Sequence, residues 1–327
     1  MVRKSLIVLA LLLVAALPAV AQESGVTVVD GLASPRQMSF DSAGSLYIAE
    51  AGSAGPNLTA SDDPFGASSQ ITRVAPDGTT EVIVTGLISY RAGNPLGAHD
   101  VIVTDDSIWL LLGETSDFRI PFTHALVELD KETYRVKTFV DLLTLELEQD
   151  PDGNPNQQSN PVDMALTPDG TVLIANAGCN CLMAWSREAG LSVAAAWSFA
   201  DDNPVPTAVT VGPDGDIYVG FLTGFPFPQG GARIERWSGG ELVQTYTGLT
   251  AVTSVLVDAM GTIYAVETSL QGPGRVVMVG ADGAITPIAE GLSAPYGLAQ
   301  APDGRLLVSV GAFGGQPGAV IALPAVQ

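Results

Sequence analysis

A short turn followed by a β-branched or aromatic strand recurs along this chain, and no other feature limits its fold so tightly. Asp41-Ser42-Ala43-Gly44 leads into Ser45-Leu46-Tyr47-Ile48-Ala49-Glu50. The figure returns as Pro168-Asp169-Gly170 before Thr171-Val172-Leu173-Ile174-Ala175-Asn176, and as Pro213-Asp214-Gly215 before Asp216-Ile217-Tyr218-Val219-Gly220. It appears again as Asp258-Ala259-Met260-Gly261 before Thr262-Ile263-Tyr264-Ala265-Val266-Glu267, and as Pro302-Asp303-Gly304 before Arg305-Leu306-Leu307-Val308-Ser309. A degenerate sixth copy, Asp105-Asp106-Ser107-Ile108-Trp109-Leu110, lacks the glycine. Each copy reads as a tight turn, with glycine supplying a positive φ, followed by a buried strand.

The spacing turns these copies into an architecture. Glycines 170, 215, 261 and 304 are 45, 46 and 43 residues apart, and the step from Gly44 to Gly170 is 126, two units of 63. Units of ~40 to 50 residues with four short strands are the mark of a β-propeller blade, so six copies predict six blades. Gly31-Leu32, Gly86-Leu87, Gly248-Leu249 and Gly291-Leu292 each end an outer strand before the next unit. Ala319 to Leu323 is a third strand without a fourth, and Val26 to Val29 is expected to supply it and close the ring. The expectation is an all-β, single-domain propeller over residues 22–327.

Residues 1–21 are read as a cleaved signal peptide. Arg3 and Lys4 precede an apolar run from Leu6 to Leu17, and Ala19-Val20-Ala21 is the small-x-small pattern cut before Gln22. The run is shorter than the ~20 residues that span a bilayer, and no later segment is long and apolar enough, so no membrane span is expected in the mature chain. A periplasmic or secreted location follows. The whole chain carries 35 acidic and 14 basic side chains, a formal −21, which becomes −23 once Arg3 and Lys4 leave. That charge repels phosphates and excludes a nucleic-acid partner that needs a basic footprint. Charged residues are only 15% against 46% hydrophobic, so disorder is excluded too.

Blade geometry sorts the remaining residues. The Asp-Gly turns share one end of the ring, and long loops gather at the other: 51–68, 113–123, 144–160, 221–231, 269–274 and 311–318. Long loops on one rim of a rigid scaffold commonly carry binding residues. Second strands deliver Glu50, Asn176 and Glu267 toward this end, with Phe221 and Val310 in equivalent positions. First strands present Gln37, Asp100, Asp163 and Ser254, with His99 beside Asp100. Oxygen donors of this kind suit Ca²⁺, so Glu50, Asp100, Asp163, Asn176 and Glu267 are candidate ligands of an axial cation; solvated channel-lining residues around water are the competing reading.

Signals for catalysis are fewer. Adjacent strand residues face opposite ways, so His99 and Asp100 need a bulge to reach one substrate. No G-x-S-x-G elbow is present, and His124 is expected to pack or cap. Lys131 and Lys137 are the only lysines after the signal, too few cations for an anionic quinone cofactor. Cys179-Asn180-Cys181 can remain free thiols or close a small local disulfide. Asp150-Pro151-Asp152-Gly153-Asn154-Pro155-Asn156 is rich in oxygen but places glycine too early for an EF-hand, so it is not read as a calcium loop. Leu222-Thr223-Gly224-Phe225-Pro226-Phe227-Pro228 is a stiff segment showing aromatic surface, and Phe225, Phe227, Phe221 and His99 are candidate ligand contacts.

Thr223-Gly224-Phe225-Pro226-Phe227-Pro228, together with Asp152-Gly153, Ser159-Asn160-Pro161, Ala98-His99-Asp100-Val101 and Ala49-Glu50-Ala51-Gly52, resembles the ScyD/ScyE family, propeller proteins related to NHL repeats. The resemblance spans essentially the whole mature chain, and the Phe-Pro loop is its most specific motif. It implies an exported propeller; members are named for gene clusters that make scytonemin, an indolic and phenolic sunscreen pigment of cyanobacteria. Cys179 and Cys181 stand where the family usually has small or acidic residues. The expected function is a binding or scaffold module that takes a small molecule or a protein on its loop-rich face. The alternative is a lactonase-like hydrolase with Ca²⁺ at the channel mouth, where the metal would polarise a carbonyl and His99 or a carboxylate would activate water.

Overall fold

Glycines 44, 170, 215, 261 and 304, one per repeated turn, adopt φ between +81° and +87°. That conformation strains any residue with a Cβ, which is why the turn keeps glycine there. At the first turn Asp41 completes the motif, its Oδ1 accepting the Ala43 and Ser45 amides at 3.1 and 2.8 Å. The degenerate copy closes without glycine, through Thr104 N to Ser107 O at 2.9 Å.

The computed structural model describes residues 25–200, 203–269, 272–314 and 317–324. The signal peptide read from residues 1–21 lies outside the described residues. Six antiparallel sheets follow one another around an axis. The innermost strands, one per blade, are Pro35–Phe40, Ala98–Val103, Pro161–Leu166, Pro206–Val211, Val252–Val257 and Leu298–Gln300. Each touches the next around the full circle, so the ring is closed. The last blade takes its outer strand from the other end of the chain: Val26–Leu32 pairs antiparallel with Gly318–Ala322. The chain is thus the six-bladed β-propeller closed by an N-terminal strand that the spacing predicts.

Packing explains why the strands read as they do. Six clusters of buried apolar residues lie in the six gaps between neighbouring blades. Tyr47, Ala49 and Ile71 of the first blade meet Val101, Leu110 and Val127 of the second, for example. Inner strands are therefore covered on both faces, and Leu46–Glu50 and Ser107–Leu112 are buried along their whole length. Outer strands keep one wet face and alternate, as in Val136–Asp141.

The first blade is enlarged. Its third and fourth strands, Pro64–Val74 and Thr80–Ala92, run long, and Asn57–Leu58 and Asn94–Leu96 add to the same sheet. Part of the expected 51–68 loop is therefore strand. In the 144–160 loop the chain forms a helix, Leu143–Gln149, ending on Asp150 in the left-handed region at φ 44°. The two cysteines form a disulfide. Both are fully buried between the second and third blades, so the bond belongs to a core and ties no distant elements.

Candidate functional site: the mouth of the central channel

Five of the six innermost strands slip register just after they start, at Pro35/Met38, Ala98/Asp100, Pro161/Asp163, Pro206/Ala208 and Val252/Ser254. Such bulges let consecutive residues serve the channel at two levels. The upper level is Arg36, His99, Val162, Thr207, Thr253 and Tyr296, all lining a cavity of about 830 Å³ that opens to the loop-rich end. Below it, Gln37, Asp100, Asp163 and Ser254 line a smaller cavity of about 340 Å³. His99 and Asp100 therefore face separate spaces, stacked along the axis.

Both levels are also fastenings between blades. In the upper one, side-chain donors reach carbonyls: Arg36 Nη2 to Pro95 O at the far edge of its own blade's sheet, and, in the next blade, His99 Nδ1 to Pro161 O at 2.8 Å, Thr207 Oγ1 to Val252 O at 2.6 Å, and Thr253 Oγ1 to Tyr296 O at 3.0 Å. In the lower one, acceptors take the next blade's amides: Asp100 Oδ2 from Met164 N at 2.9 Å, Asp163 Oδ2 from Val209 N at 2.8 Å, and Ser254 Oγ from Leu298 N at 3.2 Å. Gln37 spans to the fifth blade, donating to Thr253 O at 2.9 Å and accepting from Ser254 Oγ at 3.2 Å.

Some atoms of the upper level are left over. Arg36 is 1% exposed, its guanidinium lies 4.5 Å from the Tyr296 ring centroid, and its Nε has no partner. No carboxylate pairs with it among the described residues, so a buried cation faces the cavity floor without a counter-charge. His99 is equally buried. Its Nδ1 faces a carbonyl, which only accepts, so Nδ1 carries the proton and the unpartnered Nε2 presents a lone pair. Burial first, and the neighbouring Arg36 charge second, pull the His99 pKa down to about 3, so the ring stays neutral. Glu114, in the cavity wall, is pushed up to about 7 by burial alone.

The residues expected as cation ligands separate into two groups. Asp100 and Asp163 come together: both are buried, both are raised by burial, and Asp163 is raised further by the Asp100 charge while donating to it. The pair thus retains a proton, as two carboxylates in contact must. Glu50, Asn176 and Glu267 do not join them. Glu50 accepts from Ala33 N, Gln70 Nε2 and Thr72 Oγ1. Asn176 accepts the Asn160 amide at 2.8 Å and donates to Ser159 Oγ at 2.8 Å. Glu267 accepts from Thr250 N and Arg275 Nε. Each end-of-strand residue thus anchors the chain entering its own blade. The five do not fit an axial Ca²⁺: among the described residues, none of these carboxylates belongs to any group of three metal-ligating side chains.

The aromatic candidates also divide. Phe225, 85% exposed, and Phe227 meet edge to face at 6.0 Å and line the mouth. Phe221 is corrected: fully buried, it packs between Trp197 at 4.9 Å and the Arg233 guanidinium at 4.2 Å, so no ligand reaches it. His124 packs as expected, through Ser159 O and Thr115 N. Sequence reasoning missed Arg36, Glu114 and Tyr296. One signal was present, since Arg36 precedes Gln37 as His99 precedes Asp100.

No protein-family model matches the chain, and no curated protein matches it. Solved structures do resemble it. A streptogramin B lyase superposes at TM-score 0.54 with 12% identity, covering 91% of this chain and 96% of that one. A gluconolactonase from Xanthomonas campestris superposes at 0.59 with 13% identity, covering 91% and 89%. A luciferin-regenerating enzyme superposes at 0.60 with 8% identity, covering 91% and 94%. At these identities the likeness is one of fold.

Proposed function

We propose that this chain is an exported binding propeller of the ScyD/ScyE type, whose mouth cavity takes a small ligand with a flat apolar body and a carboxylate or similar anionic oxygen group. The observation that carries this reading is the buried Arg36 guanidinium, unneutralised and with Nε free, on the floor of an 830 Å³ cavity. A buried cation strongly favours an anion that can reach it. His99 Nε2 beside it accepts a hydrogen bond from a hydroxyl or N–H on the same ligand, and Phe225 and Phe227 offer rings for stacking at the rim. The buried disulfide fits an oxidising compartment outside the cytoplasm.

The test is calorimetric titration with indole-3-carboxylate and with indole. Binding of the acid but not of the neutral ring, lost in Arg36→Gln, is the expected result. Equal affinity for both compounds, or an Arg36→Gln variant that binds as well as the parent, sinks the reading.

Glu114 favours a second reading, acid–base chemistry on an ester or lactone at the same mouth. A general acid or base works best with a pKa near the working pH, and Glu114 at about 7 meets that where His99 at about 3 does not. The superposed gluconolactonase and lyase are enzymes by name. A screen of lactones and aryl esters with the parent and Glu114→Gln decides: turnover abolished by the variant supports the enzyme, and absence of turnover removes it.

A further inference from the structure

Outside the mouth, one cluster of acids combines proximity with an unmet need. We infer that Glu146, Asp150 and Asp152 hold a Ca²⁺ ion where the chain passes from the Leu143–Gln149 helix into the third blade. One ligand atom from each lies within 4.8 Å of the others. Oxygens sharing one Ca²⁺ at about 2.3 to 2.6 Å sit at most about 5 Å apart, so a single ion can bridge all three.

Glu146 makes the cluster more than a patch of surface charge. It is fully buried, yet its Oε2 has no hydrogen-bond partner, while Oε1 accepts the Gln158 amide at 3.3 Å. An ionised carboxylate in that position needs a counter-charge. No lysine or arginine pairs with any of the three among the described residues. The helix adds to the demand, because its C-terminal, negative end lies here and its last turn holds no basic residue.

The remaining donors are already held in place. Asp152 is oriented by the Asn154 amide on Oδ1 at 2.9 Å and by Asn180 Nδ2 on Oδ2 at 2.8 Å, leaving a lone pair on each oxygen. Asp150 is exposed and completes the set from the solvent side. This is not an EF-hand: one ligand comes from the helix before the Asp-Pro-Asp-Gly run, which is why loop spacing alone hides it. The site also connects to the mouth. Asn180, which holds Asp152, accepts the Val205 amide at 2.8 Å, and Val205 lines the mouth cavity. An ion here fastens the rim between the third and fourth blades.

The experiment uses the full mature chain, stripped with chelator and titrated with CaCl₂ by calorimetry, with melting followed in parallel. The expected result is one Ca²⁺ per chain, a melting temperature that rises with Ca²⁺, and affinity weakened at least about tenfold by Glu146→Gln. Asp150→Asn, at an exposed position that spares the fold, is expected to weaken it several-fold. No response of the parent at about 10 mM Ca²⁺, well above the range of weak extracellular sites, overturns the site. So does a response unchanged in Asp150→Asn, or one matched by MgCl₂ at equal concentration.

Discussion

The Arg36 guanidinium stacks over Tyr296 at 4.5 Å and stands 5.6 Å from the centre of the Phe313 ring. Aromatic faces attract a cation but replace only part of its lost hydration. On balance Arg36 is expected to cost the fold stability, its bond to Pro95 O notwithstanding, while it serves the cavity. Arg36→Met, which keeps the stacking bulk and removes the charge, is expected to melt no lower than the parent while losing affinity for an anionic ligand. Thermal melts paired with titration check this; a large drop in melting temperature would show that the guanidinium holds the ring together.

Asp100 and Asp163 give stability a dependence on pH. Both have folded-state pKa values raised above the ordinary 3.8. Their contribution is thus fully present below about pH 4 and is lost as pH rises through the folded-state values. Asp163→Asn supplies a permanent N–H in place of the shared proton. The variant is expected to melt about 2–4 °C above the parent at pH 8 and to lose that advantage near pH 4.5. Parallel melts across that range, with chelator present, are the measurement; a constant difference contradicts the shared proton.

Gly113 seats the His99 ring. A Cβ on Gly113 would lie 2.7 Å from His99 Cε1, closer than real atoms approach. Gly113→Ala is expected to cost about 1–3 kcal/mol and to turn the ring away from Pro161 O. Denaturant unfolding measures the first effect, and the imidazole proton resonances report the second.

Glu50 and Glu267 carry loops rather than metal. Glu50→Ala strips acceptors from Ala33 N, Gln70 and Thr72, and Glu267→Ala leaves Arg275 unpaired. Each is expected to lose about 2–4 kcal/mol. The loss should be the same with and without Ca²⁺, and a loss that grows in Ca²⁺ would restore the axial ion.

Architecture was legible because it is written locally and repeatedly. The turn at Asp41–Gly44 and the strand after it recur, and their period alone counts the blades and points to Val26–Val29 as the closing strand. The site was less legible because it depends on which way a side chain leaves a bulged strand. Glu50 and Glu267 looked like cation ligands by position; Glu267 does line the mouth cavity, yet backbone amides two residues before each inner strand claim oxygens of both. Phe221 looked like a ligand contact from its strand-end position just before the Phe-Pro segment but belongs to the core with Trp197. Arg36 was overlooked because an arginine draws notice beside acids, and its significance lies in having none. Glu146 was hidden because its partners come from the loop beyond the helix.

Val26–Leu32, the first of the described strands, has Gly318–Ala322 as its sole sheet partner among the described residues, with Val26 opposite Ala322. Five blades can zip up from neighbouring hairpins as the chain is made, while the sixth must wait for both ends to meet and so bears the largest loop-closure entropy. Until then Gly318–Ala322, or whatever strand is then outermost, remains a sticky edge. Premature termination anywhere upstream of Gly318 should therefore yield aggregation rather than a smaller working ring, an all-or-nothing quality check that the topology itself performs.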